Sequence, residues 1–254
     1  MYCVTAACGC NMGKVRGNNE DNFYFGQRFL PKDNAGLIGI LDYKSELDQP
    51  TCFGVFDGMG GEALGEEASF LAAQAMDKQI KMKFELPDSL LDICAEANRE
   101  ICLAARKHSV GLMGSTAVLI GLKNEIAYLV NIGDSRAFLC RAGKIRQISV
   151  DHTDHFLFST HGIHNRKPHL TQHLGIEPEE MLIEPHIAEI QLQNEDIFLL
   201  CSDGLTDMLD ESDIKDILQD NSTVTAQTEM LIQKALHNGG RDNITAILCK
   251  IVQA

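Results

Sequence analysis

The sequence predicts an α+β fold in which two antiparallel β-sheets pack against each other and helices cover them. Residues 62–82 and 88–108 place apolar side chains at i, i+3 and i+4, which is the period of an amphipathic helix. From residue 114 the period changes to short β-branched runs separated by turn residues, which indicates antiparallel strands. Several runs, such as 117–120, are apolar without alternation, as expected for strands covered on both faces. A sheet lying between a second sheet and a layer of helices would cover them in that way.

The other elements follow from the same signals. A polar, glycine-punctuated loop over 13–22 leads into an aromatic strand signal at 23–25, and residues 31–50 suggest irregular structure or a short hairpin. The apolar run 51–56 predicts a buried strand. Further strands are expected at 115–121, 126–132, 136–140, 145–148, 187–192, 197–201 and 244–251, and further helices at 211–218 and from 225 to a stop at 238–240.

Composition and charge restrict the class of protein. The chain has 254 residues, of which 44% are hydrophobic, and it lacks linkers, repeats and low-complexity tracts, so we expect a single domain over residues 1–254. Its 36 acidic residues against 22 Lys plus Arg give a formal net charge of -14, which argues against nucleic acid and anionic membranes as partners. The first residues lack the basic flank of a signal peptide, and no later run is apolar enough to span a bilayer. We therefore expect a soluble cytoplasmic protein, and a monomer.

Cysteine and histidine usage favours structural interpretations. Most of the nine cysteines lie in apolar runs, which indicates reduced core residues, and no second Cys/His pair completes a zinc site with those at 3, 8 and 10. Residues 151–175 hold six of the nine histidines. A metal site is one interpretation of that segment. Because the spacings match no ligand pattern, an exposed surface segment is favoured.

Four aspartates stand at the ends of predicted strands. Asp57 and Asp203 each follow an apolar run and precede a glycine, Asp134 follows another such run, and Asp242 directly precedes the last strand. Asp57 alone could be a helix cap after a tight turn. Four repetitions of the pattern instead suggest carboxylates that converge at one end of two facing sheets. Such a cluster is stable at neutral pH chiefly when divalent cations neutralise it, because the carboxylates repel each other.

The donor set selects the kind of cation. Oxygen ligands without Cys or His favour hard cations, Mg²⁺ or Mn²⁺ rather than Zn²⁺. Two such ions can activate a water molecule and clamp a phosphoryl oxygen. Arg16, which could otherwise form an incidental salt bridge with Glu20 and Asp21 in a solvated turn, would then bind a phosphate bidentately.

Six short motifs, in this order, resemble those of the metal-dependent protein phosphatase family of type 2C in its bacterial form. The motifs extend from about residue 13 to 248 and are Gly13…Arg16…Asn19-Glu20-Asp21, Val55-Phe56-Asp57-Gly58-Met59-Gly60-Gly61, Gly114-Ser115-Thr116-Ala117, Asn131-Ile132-Gly133-Asp134-Ser135-Arg136, Cys201-Ser202-Asp203-Gly204-Leu205 and Gly240-Arg241-Asp242-Asn243-Ile244-Thr245. The resemblance implies a four-layer α-β-β-α sandwich with a metal centre at one end of the sheets. It also implies hydrolysis of phosphoserine or phosphothreonine in proteins, by in-line attack of a metal-bridging hydroxide without a phosphoenzyme, opposing a cognate Ser/Thr kinase.

The resemblance also assigns metal ligands. Asp57 matches the carboxylate that bridges two Mn²⁺ or Mg²⁺ ions, and Gly58 matches the residue whose carbonyl binds one of them. Asp203 and Asp242 match the ligands of the other ion, and Asp134 matches the acid that holds a third, weaker metal together with Asp203.

Three further residues receive roles in the same way. Glu20 and Asp21 match acids that hold metal-bound waters, and Arg16 matches the arginine that binds the substrate phosphate.

Two features depart from the family pattern. Met59 stands where many members have a histidine assigned as the general acid, and a thioether cannot donate that proton. A metal-bound water would have to do so, or another group that reaches into the site, such as a histidine of the flap. That flap, about 151–175, looks shorter than usual, so its substrate preference need not follow that of better-known relatives.

Two alternatives to a phosphoprotein phosphatase remain open in the sequence. One is a non-catalytic domain of the same fold that binds a phosphoprotein or regulator, which the complete set of metal-binding positions disfavours. The other is a two-metal phosphatase acting on a small phosphorylated molecule.

Overall fold

Within the part of the chain that the structure describes, twelve strands form two six-stranded antiparallel sheets. The computed structural model describes residues 1–59, 64–82, 84–154 and 168–253. The strands are β1 (Tyr2–Asn11), β2 (Asp21–Phe25), β3 (Leu41–Glu46), β4 (Thr51–Met59), β5 (Gly114–Ser115), β6 (Ala117–Lys123), β7 (Ile126–Ile132), β8 (Arg136–Arg141), β9 (Lys144–Gln147), β10 (His186–Gln191), β11 (Ile197–Cys201) and β12 (Ile244–Gln253). The first sheet has the order β3-β1-β12-β11-β8-β9, and the second has β10-β7-β6-β4-β2, with β5 paired to β4.

In the described residues, five helices lie outside the two sheets. They are α1 (Gly65–Met82), α2 (Asp88–His108), α3 (Asp203–Thr206), α4 (Glu211–Leu218) and α5 (Val224–His237). One apolar cluster joins the facing sides of the sheets, a second joins α1 and α2 to the second sheet, and a third joins α4 and α5 to the first sheet. The layers are therefore α-β-β-α, which confirms the predicted architecture and explains why runs such as 117–120 are apolar on both faces.

The predicted helices and most predicted strands are present with small shifts at their ends, but the first strand was not predicted. β1 is a central strand between β3 and β12, and its residues 6–10 are small and buried. A Cβ added at Gly9 would lie 3.0 Å from Ile232 of α5, so the helix packs closely against this strand. Ala and Gly have weak strand propensity, so the sequence signal for β1 is weak. On the side of α5, Gly9 leaves room for Ile232, whereas Ala6, Cys8 and Cys10 face the core between the two sheets. Strand β3 likewise lies within the stretch for which irregular structure or a hairpin was expected.

Two further expectations can be compared with the described residues. All nine cysteines are free, and eight of them are buried, as expected for reduced core residues. Across the part of the chain that the structure describes, every helix is too short or too polar to cross a lipid bilayer.

Candidate metal centre

The centre begins with two aspartates on neighbouring strands. In the register between β2 and β4, Asp21 lies directly opposite Asp57, so their side chains share one face of the sheet. Like charges at facing positions destabilise a sheet unless a cation or a proton intervenes. Asp21 is 1% exposed and Asp57 is partly buried, so water alone compensates these charges poorly.

The other strand-end aspartates gather around Asp57. Burial raises the pKa of the Asp57 carboxyl well above its usual value, and the carboxylates of Asp21, Asp203, Asp134 and Asp242 raise it further. Asp203 begins α3 directly after β11, Asp134 lies in the turn between β7 and β8, and Asp242 precedes β12. Both sheets therefore supply carboxylates to one end of the sandwich, as the strand-then-Asp pattern predicts.

Asp21 is held by two hydroxyl groups, one from β12 of the other sheet and one from the residue that follows β11. Ser202 Oγ and Thr245 Oγ1 each donate a hydrogen bond of 2.7 Å to Asp21 Oδ2. Asp21 Oδ1 is buried and has no hydrogen-bond partner among the described residues. Burial raises the pKa of Asp21, although the two hydroxyl groups oppose that shift. An oriented carboxylate with one unsatisfied buried oxygen is a suitable acceptor for a water molecule or a cation.

Gly58 brings its backbone close to Glu20 and to the start of α1. Its N–H donates to the Glu20 carbonyl at 3.0 Å, and a Cβ at this position would lie 2.0 Å from the carbonyl oxygen of Gly65. A side chain at residue 58 is therefore sterically excluded. A Cβ at Gly65 would in turn lie 2.9 Å from Glu20 Cδ, so the Glu20 carboxyl also belongs to this end of the sheets.

Two polar side chains fix the loops that carry the acids. Asn243 accepts from the Glu20 N–H at 2.8 Å through Oδ1, and its Nδ2 donates to the carbonyls of Met12 and Asn18 at 2.9 Å each. Thr116 Oγ1 accepts from the Asp57 N–H at 3.1 Å and lies 2.6 Å from Ser135 Oγ, beside Asp134.

The anchoring roles of these polar residues are not apparent from the sequence. The residues concerned are Thr116, Ser135, Ser202, Asn243 and Thr245, all of them buried polar residues. The available signal was that each lies within the quoted motifs, beside or near an acid or glycine of the site.

Arg16 occupies the exposed edge of the centre. Its Nη2 donates to Asp242 Oδ2 at 2.6 Å, and its Nη1 lies 3.9 Å from Glu20 Oε2. The guanidinium is about half exposed, so it can leave Asp242 for an incoming anion at little desolvation cost.

The residues fit a metal centre that retains many water ligands. No three Asp, Glu, His or Cys side chains in the described ranges form a ready cluster for a metal ion. Mg²⁺ and similar hard cations commonly bind through one or two carboxylates and keep several waters, so they do not need such a cluster. The all-oxygen donors, the mutual repulsion at Asp57 and the unpartnered Asp21 Oδ1 fit that kind of ion.

Met59 faces a different environment from the acids. It pairs with Gly114 in the short β4–β5 ladder, and the ring of His173 packs so closely on Gly114 that a Cβ there would lie 2.7 Å from its Nδ1. A second histidine, His152, accepts a 3.1 Å hydrogen bond from the Gly133 N–H beside Asp134, and burial lowers the pKa of its imidazole. The histidines at 155, 161 and 164, predicted to belong to the flap, lie outside the described residues.

The two-sheet sandwich with an acidic centre at one end is the architecture of a metal-dependent phosphatase. The chain belongs to the protein phosphatase 2C family, whose family model matches residues 41–238. The sequence is 33% identical to the serine/threonine phosphatase stp of Listeria monocytogenes, over 93% of this chain and 91% of that protein. It is 30% identical to the protein phosphatase PhpP of Streptococcus pneumoniae, over 94% of each chain.

Solved structures agree with this placement. The serine/threonine phosphatase PstP/Ppp of Mycobacterium tuberculosis superposes with a TM-score of 0.81 and 28% identity, covering 99% of this chain and 100% of that one. A PstP catalytic domain in complex with two manganese ions superposes with a TM-score of 0.80 and 28% identity, with full coverage of both chains.

Proposed function

We propose that the protein is a metal-dependent phosphatase that hydrolyses phosphoserine and phosphothreonine in proteins. The observation that carries this proposal is the gathering of Asp21, Asp134, Asp203 and Asp242 around Asp57, with Arg16 at the open edge. Relatives named as serine/threonine phosphatases, which match more than nine-tenths of the chain, support the same activity.

The proposed cofactor is a pair of Mn²⁺ or Mg²⁺ ions. The same site would have ligands for a third ion. Asp57, the Gly58 carbonyl, Asp203 and Asp242 would hold the pair, and Asp134 with Asp203 would hold the third. When bound, the ions would lower the pKa of a water molecule and neutralise charge on the phosphoryl group. The two manganese ions in the related PstP domain support this choice of metal.

The protein's own groups would prepare the site for that chemistry. Ser202 and Thr245 orient Asp21, which with Glu20 would position water molecules. Arg16 would exchange Asp242 for the substrate phosphate, because a guanidinium binds a phosphate bidentately. Met59 cannot donate a proton to the leaving alkoxide. A histidine of the flap is one candidate for that role, and His173 lies against Gly114, the register partner of Met59.

The proposed cellular role is reversal of phosphorylation by a Ser/Thr kinase in signalling, by a cytoplasmic monomer.

The direct test is hydrolysis of a phosphothreonine peptide by the purified protein with Mn²⁺, with Mg²⁺ and with EDTA. Phosphate release should depend on the metal and fall to background in EDTA. Equal rates in EDTA and Mn²⁺ would falsify the metal-dependent mechanism, and a much higher rate on phosphometabolites than on phosphopeptides would reassign the substrate class.

A further inference from the structure

A shallow cavity beside the acidic centre carries positive charge on a negatively charged protein. Its volume is about 600 Å³, and Lys14, Lys234 and His237 line it above a floor formed by Ile217, Met230 and Leu236. We call Lys14, Lys234 and His237 the basic patch. Among the described lining residues there is no Asp or Glu, although the chain has 36 acidic residues against 22 Lys plus Arg.

Backbone contacts join the basic patch to the centre. The Lys14 N–H donates to the Gly240 carbonyl at 2.7 Å, and a Cβ at Gly240 would lie 3.0 Å from Leu236 Cδ2 and 3.4 Å from Lys14 Cγ. Lys14 precedes Arg16 by two residues, and Gly240 precedes Asp242 by two. Two residues of extended chain span at most about 7 Å, so the patch begins next to the groups that would bind the phosphate and the metals.

The patch side chains are available to a ligand. Lys14, Lys234 and His237 are all exposed. Lys234 Nζ lies 3.4 Å from Asp213 Oδ1, and an exposed pair of this kind is weak enough to exchange for a carboxylate of a bound peptide. The half-buried floor of the cavity could contact an apolar side chain of the bound peptide that lies between two of its acidic residues.

We propose that the basic patch docks an acidic segment of the substrate protein, a few residues along the chain from the phosphorylated Ser or Thr. The inference rests on the proposed phosphatase function and deepens it by naming a substrate class: phosphoresidues flanked by Glu or Asp. Charge complementarity supports this occupant, and the strongly negative remainder of the surface repels nucleic acid, the other common polyanion. An acidic flank that bound elsewhere on the surface would be repelled, because the protein has a formal net charge of -14.

The kinetic test compares phosphothreonine peptides of equal length whose flanking positions carry Glu or Gln. The wild type should give a kcat/KM about five- to tenfold higher for the Glu peptide, as expected for two exposed charge pairs. Lys14→Gln/Lys234→Gln should abolish that preference and leave kcat/KM for p-nitrophenyl phosphate, which has no flanking residues, unchanged. The matched control is Lys44→Gln/Lys144→Gln, which removes the same charge from the exposed edge strands β3 and β9 and should keep the preference.

A binding measurement tests the docking without turnover. Fluorescence anisotropy should detect tighter binding of an unphosphorylated Glu peptide than of its Gln counterpart to the wild type and the control, and salt should weaken it. The double variant should lose the difference. Equal binding of both peptides by the wild type, or an acidic preference that survives in the double variant, would overturn the proposal. Absence of metal-dependent turnover on every substrate would instead refute the phosphatase function, and the anisotropy result would still decide the docking.

Discussion

The acidic centre and the basic patch lie side by side and hold their charges in opposite ways. In the centre, the carboxylates are buried or half-buried and are held by neutral groups: Ser202 and Thr245 donate to Asp21, and Asn243 accepts from the Glu20 N–H. In the basic patch, the ammonium groups of Lys14 and Lys234 stand on long, exposed side chains. Burial strengthens the electrostatic interactions of the carboxylates and protects them from screening by salt. The interactions of the exposed lysines are weakened by salt and by the entropy lost when a long side chain is fixed. Changes at the centre should therefore have large effects on activity, and changes at the patch should adjust substrate choice.

The largest effect is expected for Asp203→Asn. If Asp203 is the ligand proposed above, its loss should weaken metal binding and lower kcat by about a thousandfold, which corresponds to about 4 kcal/mol of transition-state stabilisation. The fold should persist, because the substitution is isosteric and removes a repulsion with Asp57. Initial rates at saturating Mn²⁺, with circular dichroism as the folding control, measure this. A folded variant with near wild-type kcat would remove Asp203 from the metal site.

The hydroxyl clamp on Asp21 gives the next largest effect. Thr245→Val preserves shape but deletes the 2.7 Å bond to Asp21 Oδ2, so the Mn²⁺ concentration for half-maximal activity should rise at least about tenfold. Thr245→Ser keeps the hydroxyl and should restore most of the affinity. If the Val and Ser variants required the same Mn²⁺ concentration, the bond would serve packing alone.

Arg16→Ala should act mainly on substrate binding. Removal of the guanidinium should raise KM for a phosphothreonine peptide about tenfold and change kcat less, since a charge-assisted bond contributes about 1.5–3 kcal/mol. Arg16→Lys should recover part of the loss because it restores the charge without the bidentate geometry. An unchanged KM would contradict the phosphate-binding role.

A smaller effect concerns stability and pH. Burial raises the pKa of Asp21 to about 7 in the folded protein, against about 3.9 in an unfolded chain, and raises that of Asp57 as well. The folded state thus holds more protons in this interval, so the stability of the metal-free protein should fall as pH rises from about 4 to about 7. The lowered pKa of His152 has the opposite effect near its own titration.

The difference in Tm between metal-free and Mn²⁺-loaded protein separates the effect of the carboxylates from that of His152, because His152 is present in both forms. Thermal unfolding in EDTA and in Mn²⁺ should show a gap in Tm that widens by about 5 °C or more between pH 5 and pH 7.5. In the Asp21→Asn variant, the Tm gap should increase less between about pH 5 and pH 7.5. A gap that stayed constant with pH would mean that these carboxyls do not titrate in the interval.

The contrast between local pattern and long-range contact explains what the sequence could predict. Each of these signals is local, because Asp57, Asp134 and Asp203 follow an apolar run and Asp242 precedes one, so all four could be recognised from short stretches of sequence. The two hydroxyl groups that bind Asp21 come from residues far away in the sequence, Ser202 at a separation of 181 positions and Thr245 at a separation of 224. No periodicity in the sequence indicates which hydroxyl will face which carboxylate. The strand β1 escaped prediction for a related reason, because the contact that requires Gly9, with Ile232 of α5, joins residues far apart in the sequence.

The central claim is that the converging aspartates form a two-metal centre, and counting bound Mn²⁺ tests it most directly. Equilibrium dialysis followed by metal analysis should find about two tightly bound Mn²⁺ ions per wild-type chain. At the same free Mn²⁺, Asp57→Asn should retain fewer than about one, since the carboxylate proposed to bridge both ions is lost. Equal Mn²⁺ content in the wild type and a folded Asp57→Asn variant would contradict the assignment of Asp57 as the bridge.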